Sequence, residues 1–357
     1  MKRILVLGAT GAMGIPLIDY LSANPEYLVY ATSRKKQNST KINWIQGNGQ
    51  DHSWVKQLLE DTHFDAIVDF LNYSTDSFKE RYEFYLSHTD HYVFLSSARV
   101  YAVTEDIIDE TFPRILDVCQ EQDYLSGDTY DLAKARSEDL LLNSSYTNYT
   151  IVRPSLTYNS SRLQFCIFEL NEWIYRVLDG NSIIFPKQLE GVYTTMTHGK
   201  DVAHAISKLL FLPESFGEVF NINGGGCSTW GDILKIYCKA IERSTNKTVN
   251  VCEVDNVEKI ATDLGRYYQF KYARGISRRF SNDKLESVIG SIEWLPIEQG
   301  LTECIQQFIE NGANINRPDF RKVAYFDRLA HELTPLRRFS SLKAKVGYGL
   351  CRFGLYK

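Results

Sequence analysis

A tyrosine and a lysine one helical turn apart are the residues of this sequence best suited to move a proton. Tyr130 and Lys134 lie in the helical run 130–141, where their four-residue spacing places them on one face. The Lys134 ammonium would stabilise a Tyr130 phenolate, and the tyrosine could then give or take a proton at a substrate oxygen. Ser97 follows the apolar run 91–95 and would hydrogen-bond that oxygen. A Tyr–Lys pair alone is more often an exposed helix pair, so its surroundings decide its meaning.

The first fourteen residues have the pattern of a site for a dinucleotide pyrophosphate. An apolar run at 2–7 predicts a strand, glycines follow at 8, 11 and 14, and helical spacing begins at Ile15. Such glycines form a tight turn and let the backbone approach the phosphates, which bind the N–H groups of the helix N-terminus. An ordinary glycine turn is the alternative. The predicted cofactor contacts here are Gly8, Thr10, Gly11, Ala12, Met13 and Gly14.

The residues after the second strand bear on which dinucleotide binds. Strand 27–30 leads into Ser33, Arg34 and Lys35, with no acidic residue to hold a free ribose 2′-hydroxyl. Hydroxyl and cationic donors suit the 2′-phosphate of NADP, so NADP is the predicted cofactor, with NAD as the alternative. Exposed turn residues without a cofactor role are the other interpretation. Further cofactor contacts are predicted at Ser33, Arg34, Asn48, Leu71, Asn72, Lys134 and Pro154.

The elements that must position these residues alternate between strand and helix. Strands are predicted at 2–7, 27–30, 42–47, 65–71, 91–95 and 149–154. This alternation predicts an α/β fold: a Rossmann-like, doubly wound parallel sheet with helices on both faces. Ligands bind outside the carboxyl edge of such a sheet, where Ser97 is expected. Amphipathic helices are predicted at 77–87, at 165–178 and from Met196 to about Phe211, and a long loop with a short helix at 104–127.

The chain is expected to contain a larger and a smaller domain. We predict a dinucleotide-binding domain at 1–154, a smaller α/β substrate lobe at 155–312 with parts returning to the sheet, and a basic amphipathic tail at 313–357. The net charge of −4 argues against a general nucleic-acid surface. Seven scattered cysteines, none at metal spacing, predict reduced thiols, no metal site and a cytoplasmic protein without a cleaved leader.

These motifs together resemble the extended short-chain dehydrogenase/reductase family, in its NAD-dependent epimerase/dehydratase branch. The resemblance covers the chain to about Asn311. Its motifs are the glycine pattern, Ser96-Ser97-Ala98-x-Val100-Tyr101, Tyr130-x-x-x-Lys134, Arg153-Pro154, His198-x-x-Asp201-Val202-Ala203, Phe220-Asn221-Ile222 and Trp294-Leu295-Pro296 followed by Glu298-Gln299-Gly300-Leu301.

The resemblance implies an enzyme that acts on a sugar nucleotide through a keto intermediate. Ser97, Tyr130 and Lys134 would be its catalytic residues, with hydride transfer to or from nicotinamide. It implies a sugar-nucleotide epimerase or reductase, with polysaccharide biosynthesis as the expected setting. A homodimer is left open. The alternatives are a reductase of another small carbonyl compound and a non-catalytic NADP-sensing or RNA-associated protein on the same scaffold.

Two departures from the family pattern narrow the function. The family's 4,6-dehydratases have Thr-Asp-Glu where this chain has Ser97-Ala98-Arg99, which argues against a dehydratase. An arginine that binds the substrate pyrophosphate is replaced by Thr194. The predicted substrate contacts are Arg99, Tyr158 and Arg278; other basic residues left open as pyrophosphate ligands are Arg162, Lys187, Arg274 and Arg279.

The tail mixes basic and apolar residues beyond the resemblance. Such a segment can lie on an anionic membrane surface, dock a partner, or pack on its own domain. Its cations are Arg337, Arg338, Lys343, Lys345 and Arg352, and its apolar residues are Phe339, Leu342, Val346, Tyr348, Leu350, Phe353 and Leu355.

Overall fold

The computed structural model describes residues 1–38, 41–224, 226–311 and 318–355. The chain divides into two compact units. The first comprises Met1–Thr157, Thr195–Cys227 and Arg278–Ile297, and the second comprises Tyr158–Thr194, Ser228–Ser277 and Glu298–Lys357. The domain boundaries predicted above stay a prediction, and the start of the predicted tail, at 313–317, lies outside the described residues.

A seven-stranded parallel sheet forms the centre of the first unit. Its strands, in chain order, are β1 (Lys2–Leu7), β2 (Tyr27–Ser33), β3 (Asn43–Gln46), β4 (Phe64–Asp69), β5 (Thr89–Leu95), β6 (Tyr149–Pro154) and β7 (Glu218–Ile222). Their order across the sheet is β7-β6-β5-β4-β1-β2-β3, and every neighbouring pair is parallel. β2 and β3 lie on one side of β1, and β4 lies on the other, so the strand order reverses at β1. A crevice for a ligand therefore forms at the carboxyl edge of the sheet beside β1.

The sheet is apolar on both faces, which is why helices cover both. Along β1, Ile4 and Val6 belong to one buried cluster, and Leu5 and Leu7 to the other. The first cluster takes in the helices Gly14–Ser22 and Gly199–Leu209, and the second takes in His52–Asp61 and residues of Tyr130–Leu142. The predicted fold class, a doubly wound parallel sheet, is therefore confirmed.

The first unit has further short elements around this sheet. The predicted loop 104–127 contains two short helices rather than one. The remaining elements are Thr75–Lys79, Tyr82–Ser87, Ala98–Val100, Ile107–Ile108, Ile115–Val118, Gln122–Leu125, Leu156–Tyr158 (whose last residue belongs to the second unit), Met196–His198, Pro213–Ser215, Arg279–Phe280 and Asp283–Ile289.

The single helix predicted at 77–87 is wrong, because the helix is interrupted near Arg81. The side-chain Nε of Arg81 donates to the carbonyl of Ser77, which the Arg81 backbone N–H would use in a continuous helix. That N–H bonds Phe78 O instead, at 3.0 Å, and Arg81 leaves helical backbone angles with φ −126°. The side chain thus takes a carbonyl from the helix ladder and splits the run in two.

Two other helix predictions begin too early. The helix expected from Phe165 starts at Leu170, because Phe165 and Phe168 exchange backbone hydrogen bonds around Cys166, whose φ is +49°. The helix expected from Met196 starts at Gly199, since Met196–His198 is a strand. His198 ends that strand in extended geometry and caps the helix by accepting from the Lys200 N–H.

The second unit is mostly helical and contains two small sheets. Ile183–Pro186 and Val251–Val254 pair in parallel, and Tyr193–Thr194 and Ser228–Thr229 pair antiparallel. Its helices and helical turns are Leu170–Leu178, Lys187–Leu189, Trp230–Thr245, Val257–Asp263, Tyr267–Gln269, Phe270–Arg274, Ile297–Glu310 (whose first residue belongs to the first unit), Phe320–Leu329, Leu336–Arg338 and Leu342–Arg352.

A buried ion pair joins the last helices to the rest of the second unit. Arg176 is 1% exposed and donates to Asp327 at 2.5 Å and to Glu332 at 2.6 Å. Asp327 also accepts from the Thr334 N–H and the Tyr348 hydroxyl. Removing Asp327 would leave the buried Arg176 with the partly exposed Glu332 as its remaining acid, which is far costlier than losing a surface pair.

We therefore expect Asp327→Ala to lower the free energy of unfolding by about 3–5 kcal/mol. The matched control is Glu298→Ala, which breaks the exposed pair with Lys239 and should cost at most about 1 kcal/mol. Urea denaturation followed by tryptophan fluorescence measures both. Equal losses in the two variants would contradict the role given to Asp327.

Candidate active site

The turn after β1 has the geometry of a phosphate-binding loop. Gly8 has φ +75°, and the Gly11 N–H donates to the Gly8 carbonyl at 3.1 Å. A Cβ on Gly14 would lie 2.5 Å from the carbonyl oxygen of Ala9, so only glycine fits there. The helix Gly14–Ser22 starts at Met13 without a side-chain cap. The Ile15 N–H donates to the Gly11 carbonyl at 3.2 Å, and no side chain caps this end of the helix, so the loop fits a dinucleotide pyrophosphate.

Gly199, which was not among the predicted site residues, packs closely against this loop. A Cβ on Gly199 would lie 2.3 Å from the carbonyl oxygen of Ala12. Gly199 opens the helix Gly199–Leu209, and Asp201 in its first turn accepts the Leu295 N–H at 3.1 Å. The motifs around His198 and Trp294 therefore meet in the structure. The only sequence signal for Gly199 was its place inside the first of them.

The end of β2 presents the cationic side chain of Arg34. Arg34 is exposed, whereas Ser33 is buried and its hydroxyl accepts from the Lys35 N–H and from Gln37. Asn48 is exposed after β3, and its side-chain oxygen accepts the Gln50 N–H. Arg34 is therefore better placed than Ser33 to meet a ribose phosphate, because its side chain is exposed whereas that of Ser33 is buried.

Lys134 is buried at the carboxyl ends of two central strands. Its side chain is 2% exposed, and its ammonium donates to the carbonyls of Leu71, at 3.2 Å, and Leu95, at 2.5 Å. Burial lowers the pKa of Lys134 to about 8, although the negative charges of Asp69 and Glu138 oppose the shift. The predicted cofactor residues Leu71 and Lys134 are thus in direct contact.

Tyr130 lies between two cations at the same edge. The phenol is 36% exposed, and its ring centroid is 5.9 Å from Lys134 Nζ and 5.0 Å from the guanidinium of Arg99. Arg99 also pairs with the buried Asp131 at 3.4 Å. Ser97 accepts the Arg99 N–H at 3.2 Å, which leaves its own hydroxyl proton free to donate. The three predicted catalytic residues thus lie at this edge, and their catalytic roles stay a prediction.

Glu138 holds the surrounding frame together, and sequence reasoning missed it. Its carboxylate is fully buried and accepts two hydrogen bonds from Arg153, at 2.8 and 2.7 Å, and one from Ser96 at 2.5 Å. Arg114 adds a third cationic contact at 3.3 Å. Glu138 follows Lys134 by four residues, so the same helix face carries both. That spacing and the Arg153-Pro154 motif were the available signals.

Asp69 is a second buried acid that sequence reasoning missed. It ends β4 and accepts from the hydroxyls of Tyr73 and Tyr92, both at 2.9 Å, and from the Leu71 N–H. Burial raises the pKa of Asp69, and the Lys134 cation acts against that rise. Asp69 thus shapes the strand end from which Leu71 reaches Lys134.

The predicted substrate residues have varied surroundings. Arg278, in the first unit, is 7% exposed and donates to the carbonyls of Tyr101 and Ala102, both at 3.0 Å. Tyr158 is fully buried in the second unit, and Arg274 there donates to Gln164. Lys187 pairs with Glu253, Arg279 donates to the Glu105 carbonyl, and Arg162 is exposed.

Two of the predicted cofactor contacts lie at other places in the first unit. Asn72 is exposed, and Pro154 ends β6 beside Ile222 of β7. The binding roles of all these cofactor and substrate residues stay predictions.

Two general features of the described residues bear on other functions. No helix among them is long and apolar enough to cross a bilayer. Side chains of His63, Asp65 and Asp90 bring their donor atoms within 4.8 Å of one another. Two of these are exposed, and the group adjoins the amino ends of β4 and β5, away from Ser97. The prediction of no metal stays a prediction.

The fold is that of the short-chain dehydrogenase type, as the resemblance implied. The chain belongs to the NAD dependent epimerase/dehydratase family, whose sequence model matches residues 4–223. A curated relative is the chloroplast stem-loop binding protein of 41 kDa b of Arabidopsis thaliana, 26% identical over 256 residues. The match covers 67% of this chain and 63% of the relative, so the chain spans less than two thirds of that protein's length.

Solved structures share the fold at low sequence identity. A Bacillus anthracis dTDP-glucose 4,6-dehydratase in complex with NAD is 18% identical with a TM-score of 0.66, covering 88% of this chain and 99% of its own. A Bacillus cereus UDP-glucuronic acid 4-epimerase, in complex with UDP-glucuronic acid and NAD, is 16% identical with a TM-score of 0.61 and coverages of 87% and 99%. The Bordetella bronchiseptica enzyme WbmH in complex with NAD+ is 14% identical, with a TM-score of 0.66 and coverages of 87% and 99%.

The lowered pKa of Lys134 predicts how the free energy of unfolding changes with pH. The unfolded lysine stays protonated up to 10.5 whereas the folded one loses its proton near 8, so between these values the unfolded state binds more protons. Stability should therefore rise with pH across this window. We expect the wild type to gain about 3 kcal/mol relative to Lys134→Met as the pH rises through it.

Urea unfolding of both proteins across this pH range measures the gain. Lys208→Met, which removes an exposed lysine from the helix Gly199–Leu209, is the control and should show no such trend. A constant difference between the wild type and Lys134→Met would mean that the buried lysine does not change its charge in this range.

Proposed function

We propose that this chain is an NAD(P)-dependent epimerase or reductase that acts on a sugar nucleotide through a keto intermediate. The observation that carries the proposal is the placement of Tyr130 beside Lys134 and Arg99 at the carboxyl edge of the sheet. Family membership supports the reaction class, and the epimerase with bound UDP-glucuronic acid supports the substrate class. Polysaccharide biosynthesis is the setting we propose for such a substrate.

Each residue of the group has a separate task in this proposal. The nicotinamide, when bound, supplies or accepts the hydride. Tyr130 gives or takes the proton at the reacting oxygen, and Ser97 donates its hydroxyl proton to the same oxygen as charge develops there. Lys134 has three N–H donors, of which two are used by the carbonyls of Leu71 and Leu95. The third is available to a ribose hydroxyl of the cofactor.

The residues next to Ser97 favour epimerisation or reduction over elimination of water. Elimination needs an acid and a base at the leaving hydroxyl and the neighbouring carbon. Ala98 has no ionisable group, and Arg99 cannot act as a base because its guanidinium stays protonated. A dehydratase is therefore disfavoured in our proposal, although a dehydratase is among the proteins of similar fold.

Another observation favours a second candidate function. The curated relative is described as a stem-loop binding protein, which suggests an RNA-associated role on this scaffold. A net charge of −4 gives little general attraction to phosphate backbones, and the chain retains Tyr130 and Lys134.

A reductase of another small carbonyl compound is an alternative closer to the proposed reaction, because it would use the same three residues, Ser97, Tyr130 and Lys134.

Replacing Tyr130 by Phe tests the enzyme proposal. Removing the phenol hydroxyl should lower turnover of an active sugar nucleotide by about 100-fold or more, because the proton-transfer group is lost. Dinucleotide affinity should change little. The control Tyr146→Phe removes a hydroxyl from a tyrosine of the same 36% exposure outside the site. Full activity in Tyr130→Phe, or a panel of sugar nucleotides with no turnover together with tight stem-loop RNA binding, would contradict the proposal.

Replacing Arg34 by Gln tests the choice of cofactor. If Arg34 binds the 2′-phosphate, its loss should weaken NADP binding by roughly tenfold or more and leave NAD binding nearly unchanged. Lys208→Gln, which removes an exposed cation from the helix Gly199–Leu209, is the control. Thermal shift or calorimetry with both dinucleotides measures the effect. A wild type that binds NAD more tightly than NADP would overturn the assignment.

A further inference from the structure

The C-terminal helix Leu342–Arg352 is packed on one side only. Tyr348 and Cys351 are buried on its inner face, where the Tyr348 hydroxyl donates to Asp327 at 2.6 Å and Arg328 donates to the Cys351 carbonyl. A Cβ on Gly347 would lie 2.5 Å from the ring of Phe320, so this side sits close against its neighbour. The helix is thus fixed in one orientation, and the direction of its other face is defined.

The opposite face carries a row of exposed apolar side chains, which we call the C-terminal stripe: Leu342, Val346, Leu350 and Phe353. Their spacing of four, four and three residues places all of them on one side of a helix. Leu342 is 76% exposed and Phe353 is 69% exposed. Single exposed apolar residues are ordinary on a protein surface, but a continuous row of them marks an interaction surface.

Positive charge borders the stripe on both sides. Lys343 follows Leu342 on one flank, and Lys345 and Arg352 lie on the other, each one position before a member of the stripe. Arg337 precedes the helix next to the exposed Leu336, and the neighbouring Arg338 pairs with Asp179 at 2.9 Å. No Asp or Glu occurs between residues 333 and 355, in a chain whose net charge is −4. The positive charge is thus concentrated around the apolar row.

We infer that this surface binds the face of an anionic lipid bilayer. An apolar row would enter the boundary between head groups and acyl chains, while flanking lysines extend toward lipid phosphates. A second copy of the chain fits less well, because a symmetric contact through the stripe would bring the same cations of both copies together. The inference does not depend on the proposed reaction, since none of these residues belongs to the candidate active site.

Sedimentation of the full chain with lipid vesicles tests the inference. The chain should bind vesicles of phosphatidylcholine mixed with phosphatidylglycerol, bind pure phosphatidylcholine much more weakly, and detach at high salt. Each lysine removed near the surface should weaken binding about fivefold, so Lys343→Gln with Lys345→Gln should reduce it by more than tenfold. Leu342→Gln with Phe353→Gln should reduce it at least as much, because the apolar anchor is lost.

Matched controls test whether vesicle binding depends on this surface rather than on charged or apolar side chains elsewhere on the protein. Lys235→Gln with Lys259→Gln removes the same charge from other exposed helix positions, and Val103→Gln with Ile107→Gln removes exposed apolar side chains elsewhere. Both control pairs should bind like the wild type, and matching thermal unfolding of all variants would show intact folds. Absence of binding to anionic vesicles, or equal binding by the stripe and control variants, overturns the inference. So does a dimer that the stripe variants dissociate without any vesicle binding.

Discussion

The buried carboxylate of Glu138 is the interaction on which the candidate site depends. A fully buried anion is tolerated only when its lone pairs are filled, and Glu138 fills them with Arg153, Arg114 and Ser96. Arg153 comes from β6 and Ser96 from the end of β5, so one carboxylate fixes the helix Tyr130–Leu142 against two strands. The register of that helix sets where Lys134 and Tyr130 lie.

One turn before Glu138, the same helix delivers Lys134 to the carbonyl groups that close β4 and β5. The Leu95 carbonyl belongs to β5, whereas Leu71 lies just beyond the end of β4. Asp69 fixes the Leu71 segment in turn through its own backbone hydrogen bond. Tyr130, another turn earlier, is left partly open at the edge. The fixed lysine and the accessible phenol are therefore consequences of a single helix position.

Much of this arrangement could be predicted from residue patterns, and the exceptions share a cause. Strand alternation, the glycine turn and the Tyr130–Lys134 spacing are local signals, and the sheet and helix that they predict are present. Glu138, Asp69 and Gly199 have roles that depend on residues far away in the chain, so local signals such as the spacing of Glu138 from Lys134 do not reveal those roles. The break at Arg81 and the late helix start at Leu170 come from specific hydrogen bonds that periodicity does not encode.

The carboxyl edge of the sheet also carries positive charge from arginine side chains. This charge would not be expected from position 194, where Thr194 replaces an arginine. Burial and the nearby Arg99 lower the pKa of Arg278 to about 10, whereas the charge of Asp131 acts in the opposite direction. The guanidinium groups of Arg99 and Arg278 therefore repel each other, and the buried Asp131 attracts both of them. An anionic ligand placed near them would reduce this repulsion, and a neutral ligand would not. These charges are consistent with the phosphate-bearing substrate that we propose, even though Thr194 stands where an arginine was expected.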